Sequence, residues 1–173
     1  MKLSEQLRQD AILAGLCQNH IDKWGEMSVE QLIAYYKANP DWCLERNFPT
    51  ISFMNEHFKT NEVMEMGVYI NQKDMKWAYA LPKGNNQLIF NNCTGRLTID
   101  EWSVARIFVG LDSHLEITVK DNACLILDYY DTSAIKVINK SKGKVNVYQY
   151  GVLAPKLKGN EAIYKLKYNE KTL

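Results

Sequence analysis

Histidine is scarce in this chain of 173 residues, with three in all. His20, His57 and His114 lie far apart, and no HxxxH, CxxC or HExxH spacing occurs, which argues against a dedicated metal site. No P-loop, GxGxxG or GxSxG is present, so no phosphate cradle or nucleophile elbow of those kinds, and no cofactor, is expected. No apolar run approaches ~18 residues, so no membrane-spanning helix is expected. The opening residues MKLSEQLRQD lack the apolar stretch of a secretory leader. The four cysteines, Cys17, Cys43, Cys93 and Cys124, then read as reduced thiols of a cytoplasmic protein.

The composition is that of a folded domain, 46% hydrophobic and 24% charged, and the chain is long enough to bury a core without staples. A net charge of +1 conceals an uneven spread. Residues 1–60 carry six Lys/Arg against eight Asp/Glu, 61–135 carry six against ten, and 136–173 carry nine against two. A basic end on a near-neutral chain suits phosphates or an acidic partner. Lysines along an exposed sheet edge give the same pattern by discouraging aggregation. Sparse arginine and aromatic interleaving favours that second reading over nucleic-acid binding.

Residues 1–60 read as a helical N-terminal cap. Leu3, Leu7, Ile12, Leu13 and Leu16 fall near helical spacing and predict a helix ending near Asn19. Ser28 and Gln31 form a capping-box pattern that opens a second helix through Leu32, Ile33, Tyr35 and Tyr36. Pro40 stops it, because the residue before proline is pushed out of the α region. A short helix from Asp41 to Arg46 and another from Thr50, carrying Ile51, Phe53, Met54 and Phe58, complete the segment. Trp24, Trp42, Phe48 and Phe53 would fill a small aromatic core. Cys17 and Cys43 look like helical core residues. Helix-turn-helix DNA reading is disfavoured, because the segment is acidic and shows no basic recognition face.

Residues 61–173 read as a β-solenoid, with a regular ten-residue repeat over 93–149. Positions 93, 103, 113, 123, 133 and 143 are Cys, Ser, Ser, Ala, Ser and Gly, all small. Positions 97, 107, 117, 127, 137 and 147 are Leu, Ile, Ile, Leu, Val and Val, all apolar and branched. Period-2 alternation between them marks strands, and Asp112-Ser113, Asp121-Asn122 and Asp131-Thr132 mark turns. Two architectures fit: an antiparallel β-meander, or a parallel β-helix with two decads per coil of about 20 residues. At that spacing Arg96, Glu116 and Lys136 form a column of alternating charge, which a sheet favours. Small residues at each corner and the absence of Asn-Gly or Asp-Gly hairpins also favour the solenoid. The VYI, WAYAL and QLIF runs between Gly67 and Phe90 suggest a first coil out of phase with the rest. Pro155 is expected to break the register, with AIYKLKY (162–168) as a final strand. The helices would cap one open end.

Chemistry is thinly signalled. Asp100, Glu101, Asp112, Asp121 and Asp131 fall at turns, where Asp commonly bonds its own backbone. Asp128 is the one carboxylate in a column with Phe108 and Tyr148. A carbohydrate-active solenoid enzyme would need a second carboxylate ~5 to ~9 Å away on the same face. Phe108, Tyr148 and the twenty-spaced pair Tyr130 and Tyr150 form an outward aromatic stripe around Asp128. It would either bind a partner, as aromatic anchors do, or be covered by the chain's own flanking segments.

The segment DKWGEMSVEQLIAYYKANPDWCLERNFPTISFMNEHF (22–58), followed by the small-x-φ-x-φ decads, resembles a group of small proteins from prophages and mobile elements of gut bacteria. That resemblance implies an accessory protein with a β-solenoid body and implies no chemistry. The reading that follows is a non-catalytic interaction or structural protein. It would bind a macromolecular partner, most simply a protein, through the solenoid face at Phe108, Asp128, Tyr130, Tyr148 and Tyr150. The alternatives are a carbohydrate-active enzyme and nucleic-acid binding through the basic C-terminal segment.

Overall fold

The computed structural model describes residues 2–58, 60–78 and 86–167. Its helices are α1 (Leu3–Leu13), α2 (Gln18–Asp22), α3 (Val29–Ala38), α4 (Pro40–Glu45), α5 (Ile51–His57) and α6 (Thr60–Glu65). α1 ends earlier than its apolar spacing predicts. Gly15 turns the chain at a φ of +87°, and Arg46 Nη1 donates to the Ala14 carbonyl at 2.6 Å, satisfying a carbonyl that continued helix would have used. Cys17 consequently lies outside the core, as the exposed N-cap of α2. α3 opens with the expected capping box: Gln31 N donates to Ser28 Oγ at 3.3 Å, and Ser28 N donates to Gln31 Oε1 at 2.9 Å. Pro40 ends α3 and serves as the first residue of α4, where its missing N–H costs nothing.

The strands are β1 (Val68–Ile70), β2 (Met75–Ala78), β3 (Gln87–Asn91), β4 (Thr94–Ile99), β5 (Val104–Gly110), β6 (His114–Val119), β7 (Cys124–Tyr129), β8 (Ala134–Asn139), β9 (Val145–Gln149), β10 (Lys156–Gly159) and β11 (Ile163–Leu166). They form two sheets, ordered β1-β3-β5-β7-β9-β11 and β10-β8-β6-β4-β2, and every pairing is parallel. The molecule is therefore a β-solenoid, and parallel pairing overturns the meander. Leu97, Ile117 and Val137 stack in the interior of one sheet, and Ile107, Leu127 and Val147 in the other, all buried. Each such side chain contributes about 1.5–3 kcal/mol by leaving water.

The corners explain the small residues. Ser113 Oγ accepts from Cys93 N at 3.0 Å, and Ser133 Oγ accepts from Ser113 N at 3.3 Å, so each corner ties to the next. A Cβ on Gly143 would stand 2.2 Å from the Ala123 carbonyl oxygen, so only glycine lets that corner seat. Asp121 and Asp131 hold left-handed backbone, which Asp tolerates, and their carboxylates accept from Glu101 N and Leu111 N one coil away.

Two expectations about the flanks need correction. β2 pairs with β4 at the regular twenty-residue step, so the first coil departs from phase only along β1 and β3. Pro155 does not break the register. Lys156 still pairs with Lys136, because proline precedes an edge strand and removes no ladder donor. The step changes only at β11, where Ile163 pairs with Asn146.

The helices do not sit mainly over an end. Leu32, Ile33, Tyr36, Leu44, Phe53 and Met54 share one buried cluster with Val68, Ile70, Ile89, Phe108 and Tyr130, on the outer face of the odd-numbered sheet. Asn91 Nδ2 donates to Tyr36 Oη at 2.7 Å, and Gln87 Nε2 donates to the Lys37 carbonyl at 2.7 Å, fixing α3 across β3. Among the described helices, α6, which begins at the predicted limit of 60, works as an end cap, with Met64 packing against the solenoid interior.

Candidate functional site

The odd-numbered sheet brings the expected residues together, but beneath the helices. Val68, Ile89, Phe108, Asp128, Tyr148 and Lys165 form one column across six strands. Phe108, Asp128 and Tyr130 are buried, while Tyr148 and Tyr150 are half-buried. Tyr130 stacks on Tyr150 with ring centroids 4.8 Å apart, and its hydroxyl donates to Asp41 Oδ1 on α4. At Phe108, Asp128 and Tyr130 the stripe is therefore not an open face. The chain's own helices occupy it, because an apolar column next to an amphipathic segment on the same chain is buried first by that segment.

Asp128 is the polar member of this contact. Arg106 Nε lies 3.7 Å from its Oδ2, an ion pair too long for a hydrogen bond, and among the described residues Oδ2 has no hydrogen-bond partner. Burial pushes the carboxyl up to about 6; Asp41 adds to the rise, while Arg106 and Lys167 oppose it. The Arg106 guanidinium also covers the Phe108 ring at 4.7 Å, and Lys167 Nζ lies 5.6 Å from the Tyr148 ring centre. A carboxylic acid near 6 has the acidity of a general acid. Asp128 nevertheless presents almost no open surface on which a sugar ring could rest.

Among the described residues, the helices do not cover the outer face of the even-numbered sheet. The apolar cluster beneath the helices takes nothing from β4, β6, β8 or β10. Pairing aligns Lys76, Arg96, Glu116, Lys136 and Lys156 in one column, with Lys158 beside it on β10. Strands ~4.8 Å apart make this a stripe about 19 Å long. Glu116 accepts from Lys136 Nζ at 2.5 Å and lies 3.8 Å from Arg96 Nε. The hydrogen bond from Lys136 is the main reason its carboxyl is held below the usual range. Against this stripe, Leu153 and Ala154 bound a shallow groove of about 590 Å³ that His114 also lines.

Sequence reasoning found the centre of this column and missed both ends. Lys76 and Lys156 continue the twenty-residue spacing, but they fall outside the regular decads. The remaining candidates are structural. Cys93 is buried, with its thiol against the Tyr69 and Asn91 carbonyls, and burial pushes it up to about 11. Burial also raises the Cys43 thiol far above its ordinary value. His57 packs on Phe53 with centroids 4.5 Å apart, His20 meets the Tyr35 hydroxyl, and His114 is exposed at the start of β6. Among the described residues, no three His, Cys, Asp or Glu side chains gather to hold a metal ion, and no helix is long and apolar enough to cross a membrane.

Fold and faces together define a parallel β-solenoid flanked on one side by helices. Comparison with family models, curated proteins and solved structures gives no match for the chain.

Proposed function

We propose that this chain is a non-catalytic interaction protein. The helices and the odd-numbered sheet lock together into a rigid body, and the even-numbered sheet offers its outer face to a protein partner. One observation carries this reading: a face not covered by the described helices, with four cations and a single carboxylate aligned in register. Such a face complements an acidic surface, and the ladder holds its charges at fixed spacing. The resemblance to prophage and mobile-element proteins supports an accessory role in which the partner is a component of the host.

Affinity capture from host lysate tests this, using the wild type and a Lys76→Glu/Arg96→Glu variant checked for an unchanged melting temperature. The wild type retains a protein partner and the variant loses it. Full retention by the variant, or turnover of a polysaccharide by the wild type, removes the reading.

The same cations favour a second reading, nucleic-acid binding. The described part of this face presents no Phe, Tyr or Trp for base stacking, His114 being its one ring. Binding of that kind would fall log-linearly with salt, with a slope of roughly −0.7 to −0.9 per phosphate neutralised.

A further inference from the structure

The two ends of the solenoid are unlike. At the first end, α6 lies against β1 and Met64 packs onto the interior. At the other end, among the described residues, β10 pairs only with β8 and β11 only with β9. The inward positions of that last coil show what this leaves open. Leu157, Tyr164 and Leu166 are 36%, 40% and 42% exposed, whereas their counterparts one coil below, Val137, Val147 and Gln149, are 1%, 0% and 4% exposed. Half-exposed apolar side chains beside a free parallel edge form a template for one more strand. Lysines alternate with them on the outer faces: Lys156 and Lys158 around Leu157, and Lys165 between Tyr164 and Leu166.

We propose that this end receives an extended acidic segment of a partner protein, added as a strand to the free edge of β11. The inference rests on the interaction reading above and adds to its cationic face a second point of contact, at the last coil, where an extended segment of the same partner is held. Alternate apolar side chains of the segment would cover Tyr164, Leu166 and Leu157, closing the interior. Alternate carboxylates would lie beside Lys165, on the outer face of the sheet that β11 ends. A second copy joined end to end is the poorer occupant, because it would bring like-charged lysine rims together.

The probe is a fluorescein-labelled nine-residue peptide alternating Glu and Val, measured by anisotropy against the full chain. A Lys–Val peptide and an all-Glu peptide of the same length are the controls. The Glu–Val peptide should bind saturably and weaken about ten-fold or more from low salt to roughly 0.5 M. Both controls should bind at least about ten-fold more weakly. Lys165→Glu and, separately, Leu166→Asp should each lower affinity about ten-fold without moving the melting temperature, since both side chains are exposed. No saturable binding, or equal binding of the all-Glu peptide, overturns strand addition. A wild-type dimer in sedimentation that Leu166→Asp returns to monomer overturns it in favour of a second copy. A lysate partner held equally by wild type and Leu166→Asp overturns the edge site while leaving the interaction reading intact. Peptide binding with no lysate partner does the reverse.

Discussion

Asp128 carries a carboxyl into a contact that is otherwise aromatic and apolar, and its proton has a stability consequence. The folded group titrates near 6 against an ordinary value of 3.8. Between those pH values the folded chain binds more protons than the unfolded one. The stability Asp128 contributes is therefore fully present below about 4 and is lost as pH rises through 6. Asp128→Asn removes the charged form that burial penalises. Thermal melting should show the variant more stable than wild type at pH 7, by about 1–3 kcal/mol, and nearly equal to it at pH 4. A variant less stable at pH 7 would mean that the Arg106 pairing outweighs burial. Glu116 acts with the opposite sign: the stability it contributes is present above its unfolded pKa and is lost as pH falls through its depressed folded value.

Among the elements, β6 separates inside from outside by one residue. Ile117→Asp places an unpaired charge in the interior and should cost several kcal/mol or abolish folding, whereas Glu116→Asp should change stability by less than about 1 kcal/mol. Urea unfolding of the two variants measures the difference. Phe108→Ala opens a cavity between the helices and β5 and should cost about 3–5 kcal/mol. Hydrogen exchange should then rise in α3 and α4 before it rises in β6. Simultaneous rise in all three would show that helices and solenoid unfold as one unit.

These same elements show what was legible. The interior columns could be read because parallel coils stack identical positions, and the corners demand small residues such as Ser113 and Gly143. The covered face was written differently. VYI, LIF and IFV in β1, β3 and β5 are continuous apolar runs, the signature of strands buried on both faces, and a period-2 reading treats their outward members as exposed. Tyr130 and Phe108 look like binding aromatics until something is seen to lie on them. Which segment covers which face depends on packing between distant parts of the chain, which periodicity does not encode.

Among the described residues, one face is sealed by helices, one face carries a cationic ladder, and one end is closed while the edge of β11 at the other is unpaired. A stack of this kind is held by contacts between neighbouring coils, so each coil depends mainly on the ones above and below it.

The constant step of twenty residues along β4, β6, β8 and β10 makes the length of this molecule adjustable in whole units. A tandem duplicate of residues 113–132, inserted after 132, would supply one more β6–β7 pair whose corners, interior residues and turn aspartates already match those above and below. The chain should accept it without loss of melting temperature and grow by about 4.8 Å. The surface would then carry one further Glu116, so the balance of the cationic ladder, as well as its reach, could be set by copying rather than by substitution.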